Sequence, residues 1–208
     1  MNEFFVDYII FAKKERMESL KQRRTIRKYQ QKDISADLLN DLLETSFRAS
    51  TVGNMQVYSV IVTRDAERKA KLAPAHFNQP MVRTAPVVLT FCIDLRRFSK
   101  WCEQRKAEPG YNNFEWFVTG AVDTLLVAQT FLRGCREEGV GHLLSGNYHL
   151  QPSDDCRSVG VAGIGVSHHD SHSGMACRTA GTSGPFAAGG IVHEEVYHDY
   201  TPQDIDRL

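Results

Sequence analysis

The chain has 208 residues, with 25 lysines and arginines against 25 aspartates and glutamates, so its net charge is zero. That balance argues against a nucleic-acid binder relying on excess positive charge, and 42% hydrophobic with 10% aromatic residues is a globular rather than a disordered composition. No window approaches the ~18 apolar residues of a membrane span. Five cysteines without a CxxC pair (Cys92, Cys102, Cys135, Cys156, Cys177) read as reduced thiols of a cytoplasmic protein, not as a disulfide framework or zinc site.

The N-terminus carries Phe4 to Phe11, an apolar run, followed by Lys13, Lys14, Glu15 and Arg16. Charges after the apolar run are the wrong order for a signal peptide. Residues 1–16 are then an amphipathic arm, or upstream sequence read through before a start at Met17. Met17 to Arg24 holds helix-forming residues. Ser35 is a good N-cap for a helix carrying Leu38, Leu39, Leu42, Leu43 and Phe47 at helical spacing.

Val57 to Thr63 is a β-branched run, hence a strand, and Asp65 to Leu72 suits a short helix. Pro86 opens a second buried strand, Val87 to Ile93. Residues 98–113, with Pro109-Gly110, read as turn-rich. Phe114 to Glu138 lacks proline and predicts a helix of ~37 Å. Its apolar residues run nearly all the way round, which predicts burial, here between two subunits. Gly139 and Gly141 end it. Helices and strands mix without strict βαβ alternation, so the fold class is α+β.

Two features offer chemistry. Arg23, Arg24, Thr25, Arg27 and Lys28 put four cations and a hydroxyl within six residues. Guanidinium groups bind phosphate bidentately; the alternative is a solvated basic face. Ser50, Thr51, Gly53, Asn54 and Gln56 form a polar loop between a helix and a strand, able to hydrogen-bond a polar heterocycle or simply to turn the chain. The sequence holds no GxGxxG after a strand, no P-loop, no GxSxG and no HExxH.

Residues 142–190 stand apart. These 49 residues contain no lysine and no glutamate, nine of the fifteen glycines and five of the eight histidines. One reading is a long Gly/Ser loop, although structureless loops beyond ~15 residues are uncommon in compact domains. His168, His169, Asp170 and His172 look like a metal cluster, but their spacing suits no helix face or finger.

In order and spacing, the chain resembles the nitroreductase family of FMN-dependent oxidoreductases. The resemblance rests on Arg23-Arg24-Thr25-Ile26-Arg27-Lys28-Tyr29 and on the 49–56 loop running into a strand. It rests also on Ala85-Pro86 before a strand, the long helix ending Glu138-Gly139-Val140-Gly141, and the stretch Ile191 to Pro202. It covers roughly 17–141 and 191–208. Ser50 stands where the family commonly has proline, and Val57-Tyr58 replace the usual Pro-Trp.

The resemblance implies a homodimer with the long helices at its interface, FMN between the subunits and C-terminal arms wrapping the partner. Arg23, Arg24, Thr25 and Arg27 would hold the FMN phosphate and the polar flavin edge. Ser50, Thr51, Asn54 and Gln56 would approach from the other subunit. The flavin supplies the chemistry, so no catalytic residue and no metal ligand is assigned. NAD(P)H and a nitroaromatic, quinone or similar acceptor would use the same pocket in turn, a ping-pong scheme. The same fold also serves dehalogenation or flavin destruction, for which 95–116 offers a lid, and an inactive dimer or a histidine-rich metal binder are further alternatives.

Against that family pattern, 142–190 reads as translated out of frame. Reading codons chosen for Thr182 to Gly190 one base later gives QVDRLPLE. His142 to Gln151 can likewise give ICYLGTTTYN, and Ser167 to Ala176 can give PTMTVTVGWP. One inserted base near codon 142 and one deleted near codon 190 suffice. On this reading 17–208 is a single domain with an aberrant segment, and the histidine cluster is an artefact. The Gly184-Pro185-Phe186 stretch takes the place of a phosphate-binding arginine, and the literal chain binds FMN poorly or folds incompletely.

Overall fold

The computed structural model describes residues 20–21, 23–30, 32–108, 110 and 113–145, together with the backbone of a strand at 160–168. All lie in the compact unit Met1–Ser173; a second unit comprises Gly174–Leu208. Expectations for residues 1–19 and 169–208, including the C-terminal arm, His169 and His172, fall outside the described residues.

Side-chain caps set where helices begin. Ser35 Oγ accepts the Leu38 N–H and starts α1 (Ala36–Ser46), whose Leu39 and Leu42 are buried. After β1 (Tyr58–Thr63), Asp65 caps α2 (Ala66–Leu72) in the same way. A 3-10 turn at Ala73–His76 and the five-residue α3 (Pro80–Thr84) follow, the latter opened by proline, whose missing N–H costs nothing there. Next come β2 (Val87–Ile93), α4 (Arg96–Gln104), α5 (Phe114–Glu137), β3 (Val140–Ser145) and β4 (Gly160–His168).

The four strands form one sheet in the order β1-β2-β4-β3, every pair antiparallel. β2 is interior and buried at all positions but Thr90, which its unbroken apolar sequence requires. Its alternate residues serve two cores. Val87, Leu89 and Phe91 pack with α1 and α5 around Leu42, Val127, Phe131 and Cys135. Val88 joins Ala73, Val82 and Ala85 in a smaller cluster against which Tyr29 and Leu72 pack. Helices on an antiparallel sheet give the expected α+β class.

The structure departs from the sequence reading at two places and divides the faces of the long helix. The 98–113 stretch is helical through Gln104, because Asp94 Oδ1 accepts the N–H groups of Arg96 and Arg97 and Phe98 stacks on Trp101 one turn later, centroids 5.7 Å apart. The long helix is not buried all round within one chain. One stripe (Asp123, Thr124, Val127, Phe131, Cys135) is buried, while Phe114, Val118, Val122, Leu125 and Leu126 lie exposed. Finally, strands occupy 140–145 and 160–168 of the anomalous region. The second shares only Ser167 and His168 with the 167–176 stretch that the shifted reading matches to a Val/Thr strand. Val161, Ile164 and Val166 are the β-branched residues available there, and 169–176 has none.

Candidate functional site

The arginine segment is displayed by two anchors. The Ile26 N–H donates to the His142 carbonyl at 3.0 Å, adding the segment to β3, and Tyr29 packs on the Ala73/Val82/Ala85/Val88 cluster. With these turned inward, Arg23, Arg24, Arg27 and Lys28 are exposed and Thr25 is half-buried. Burial pushes the Tyr29 phenol well above its ordinary range, against the opposing field of Arg27, so it stays neutral. Among the described residues no carboxylate pairs with the guanidinium of Arg23, Arg24 or Arg27.

Further positive charge gathers beside this segment. Arg136, in the last turn of α5, is held below the usual arginine range by burial and by the Arg23 charge, with Glu137 opposing. His142 is buried, and its Nδ1 lies 3.2 Å from the Val140 carbonyl, which fixes the proton on that nitrogen. Burial and the fields of Arg136 and Arg23 depress its pKa, against the Val140 hydrogen bond, and Nε2 has no partner among the described residues. The exposed guanidinium groups of Arg23, Arg24 and Arg27, with no carboxylate paired to them among the described residues, suit a bound phosphate dianion. On that observation the residues present fit the phosphate of a mononucleotide.

The second feature, the 50–57 turn, is a conformationally unusual piece of backbone. Gly53, Asn54 and Gln56 all have positive φ (59°, 55° and 53°). Glycine takes that region freely, whereas Asn54 and Gln56 adopt it at a cost. Ser50 and Asn54 are exposed, Thr51 and Gln56 half-buried, and the Gln56 amide reaches the Asn54 side chain at 3.5 Å.

Two residues that sequence reasoning passed over hold the turn. Asp123 of α5 accepts the Val52 N–H at 3.0 Å, and Arg97 of α4 donates to the Gln56 carbonyl and, at 2.9 Å, to the Tyr58 carbonyl. Asp123 left a readable signal: it is the one charged residue in the stretch 116–132. Arg97 and Arg136 sit among other surface-type charges and left none.

The structure thus brings Arg23, Arg24, Thr25 and Arg27 together beside β3 and the end of α5, and Ser50, Thr51, Asn54 and Gln56 together beside its middle. Thirteen residues separate Asp123 from Arg136, roughly 20 Å of helix at 1.5 Å per residue. Within one chain the two groups are separate stations on one helix.

Residues 20–151 match the sequence model described as the Nitroreductase family. The chain belongs to the nitroreductase family. Both stations of this nitroreductase-family chain lie inside the matched stretch. An oxidoreductase structure from Bacteroides fragilis NCTC 9343 superposes with a TM-score of 0.82 at 51% identity, covering 92% of this chain and 78% of that one. The NADPH:FMN oxidoreductase of Vibrio harveyi, a structure complexed with NAD+, gives 0.79 at 25% identity over 92% and 81%. By sequence, the FMN reductase (NADPH) of Bacillus subtilis (strain 168) is 28% identical over 127 residues, 60% of this chain and 51% of its own length. The chain spans about half the length of most sequence relatives it matches. No helix among the described residues is long and apolar enough to cross a membrane, and Cys92, Cys102 and Cys135 are buried.

Proposed function

We propose that this nitroreductase-family protein is a homodimeric, FMN-dependent oxidoreductase. It takes electrons from NAD(P)H and passes them to nitroaromatic, quinone or similar acceptors in the cytoplasm. The observation that carries the reading is the exposed cluster of Arg23, Arg24 and Arg27 and the amide turn held by Asp123, both set along one helix whose outer face is apolar and exposed. A second copy on that face supplies each site with the turn of one protomer and the arginines of the other. The relatives' names support the activity: FMN reductase for the Bacillus protein and NADPH-flavin oxidoreductase for the Vibrio one.

In this reading Arg23, Arg24, Thr25 and Arg27, with Arg136 behind them, hold the phosphate and the polar flavin edge. Ser50, Thr51, Asn54 and Gln56 of the partner approach the ring and exclude water from it. When bound, FMN accepts electrons from a nicotinamide and yields them to an acceptor. No side chain of this chain acts as acid, base or nucleophile. Donor and acceptor share one open face, so steady-state kinetics follow a ping-pong pattern. The test is direct: the purified protein is yellow with flavin absorbance, and double-reciprocal plots against NAD(P)H at several acceptor concentrations are parallel. Colourless protein, with no NAD(P)H oxidation after added FMN, overturns it.

The reading takes 17–208 as one domain, with 1–16 an extension and 142–190 the product of a shifted frame. The glycines at 160, 163 and 165 of β4 favour the shifted-frame part. They sit opposite Cys92, Thr90 and Val88 of β2, where an interior strand ordinarily carries packing side chains. On that reading the literal chain holds FMN more weakly than its relatives do. Resequencing the gene across codons 138–194 decides it: an unbroken frame identical to the present one removes the proposal.

A further inference from the structure

The carboxylate of Asp123 is wholly buried, yet only one of its oxygens is used. Oδ1 accepts the Val52 N–H, and Oδ2 has no partner among the described residues. Burying a carboxylate is expensive unless it is paired or hydrogen-bonded. The cost is real here: desolvation raises the Asp123 pKa, and only the backbone amides of Val52 and Val57 offset it. Those amides are the two ends of the turn that carries Asn54 and Gln56 with positive φ. A turn strained at non-glycine positions persists where its surroundings over-determine it. A charged acceptor holds a backbone N–H more strongly than a neutral one.

We propose that Asp123 is a positioning residue: its buried carboxylate, acting from α5 on the Val52 end of the turn, presets Ser50 to Gln56 for the flavin. Arg97 fixes the other end through the Gln56 and Tyr58 carbonyls. The inference rests on the functional reading above, in which this turn faces FMN, and it goes beyond that reading by assigning the anchor. Asp123 itself touches neither cofactor nor substrate. Its removal changes how well the turn is presented, not how well the chain folds.

The experiment compares full-length wild type, D123N, D123L and Q56A. FMN affinity is read by quenching of flavin fluorescence, and stability by the urea midpoint of the apoprotein. D123N keeps an oxygen for the Val52 N–H and is expected to bind FMN within about threefold of wild type. D123L loses it and is expected to bind at least tenfold more weakly, with a urea midpoint lowered by no more than the loss of one hydrogen bond. Q56A is weakened in either case if the turn faces the flavin. D123L binding like wild type while Q56A is weak overturns the anchor and leaves the functional reading standing. Q56A binding like wild type overturns that reading and the inference with it. D123N as weak as D123L overturns anchoring through an acceptor oxygen. If D123L does not fold, hydrogen exchange in the wild type decides. A Val52 amide as protected as those of buried α5 supports the anchor, and one exchanging like an exposed loop amide overturns it.

Discussion

The Ile26 N–H donates to the His142 carbonyl at 3.0 Å, so the segment bearing the arginines hangs on the residue that begins the anomalous stretch. The contact is between backbones and survives a change of side chain at 142. The imidazole itself is a liability, since it is buried with Nε2 unpartnered among the described residues and lies in the fields of Arg136 and Arg23.

His142→Leu therefore stabilises the protein, by about 1–2 kcal/mol near neutral pH, the order of one unsatisfied buried polar group. The pH dependence has a definite sign. The folded-state pKa lies below the ordinary 6.5, so on acidification the unfolded chain protonates first. Stability from this group is complete above that value and is lost as pH falls from there toward the folded pKa. Urea midpoints at about pH 7.5 and about pH 5.5, either side of the ordinary histidine value, should diverge in wild type and converge in H142L. A less stable H142L would mean that Nε2 has a partner.

Gly120→Ala destabilises. A Cβ there would lie 2.5 Å from Ile93 Cγ2, on a stiff β-branched side chain, and 3.6 Å from the Val57 carbonyl. Overpacking of this kind costs about 1–3 kcal/mol, visible as a lower thermal midpoint. An unchanged midpoint would show that α5 stands further from β2 than described.

Leu125→Glu leaves the fold of the protomer intact, because Leu125 is 40% exposed in the single chain. It does bury a charge wherever a second copy covers α5. Light scattering should report a dimer for wild type and a monomer for L125E, with FMN lost in parallel. A dimeric L125E would move the interface off this helix.

The sequence made α1, β1, α2, β2 and α5 legible because each pairs a cap or a β-branched run with a clear period: Ser35 before Leu39 and Leu42, or Val87 to Ile93 without a polar break. It hid α4, whose charged face and nearby Pro109-Gly110 masked the spacing of Phe98, Trp101 and Cys102. It did not say which residues of α5 face their own core, since an apolar residue reads alike whether its own core or a second subunit covers it. The two stations of the site were legible as residue types in order. Their anchors were not, because Asp123 and Arg97 act on backbone groups that no sequence pattern displays.

Gly165 offers a test of the anomalous strand. It pairs with Val88 on one side and Leu143 on the other, and these two residues, with His76 and Ser145, line a cavity of about 10 Å³, the size of one water. Gly165→Ala should stabilise by roughly 0.5–1 kcal/mol, the ordinary glycine cost within a strand, read as a higher urea midpoint. A drop instead would mean that the backbone there needs glycine, against a frame-shifted origin for this strand.

The central claim is that each flavin site is shared: arginines from one protomer, the amide turn from its twin. Mixing R24A and Q56A chains, each expected to bind FMN poorly alone, tests it most directly. Random refolding makes half the dimers mixed. A mixed dimer carries one doubly damaged site and one intact site, so about a quarter of wild-type FMN-binding capacity should return. Capacity no greater than the average of the two separate variants would place both halves of the site in one protomer and contradict the account.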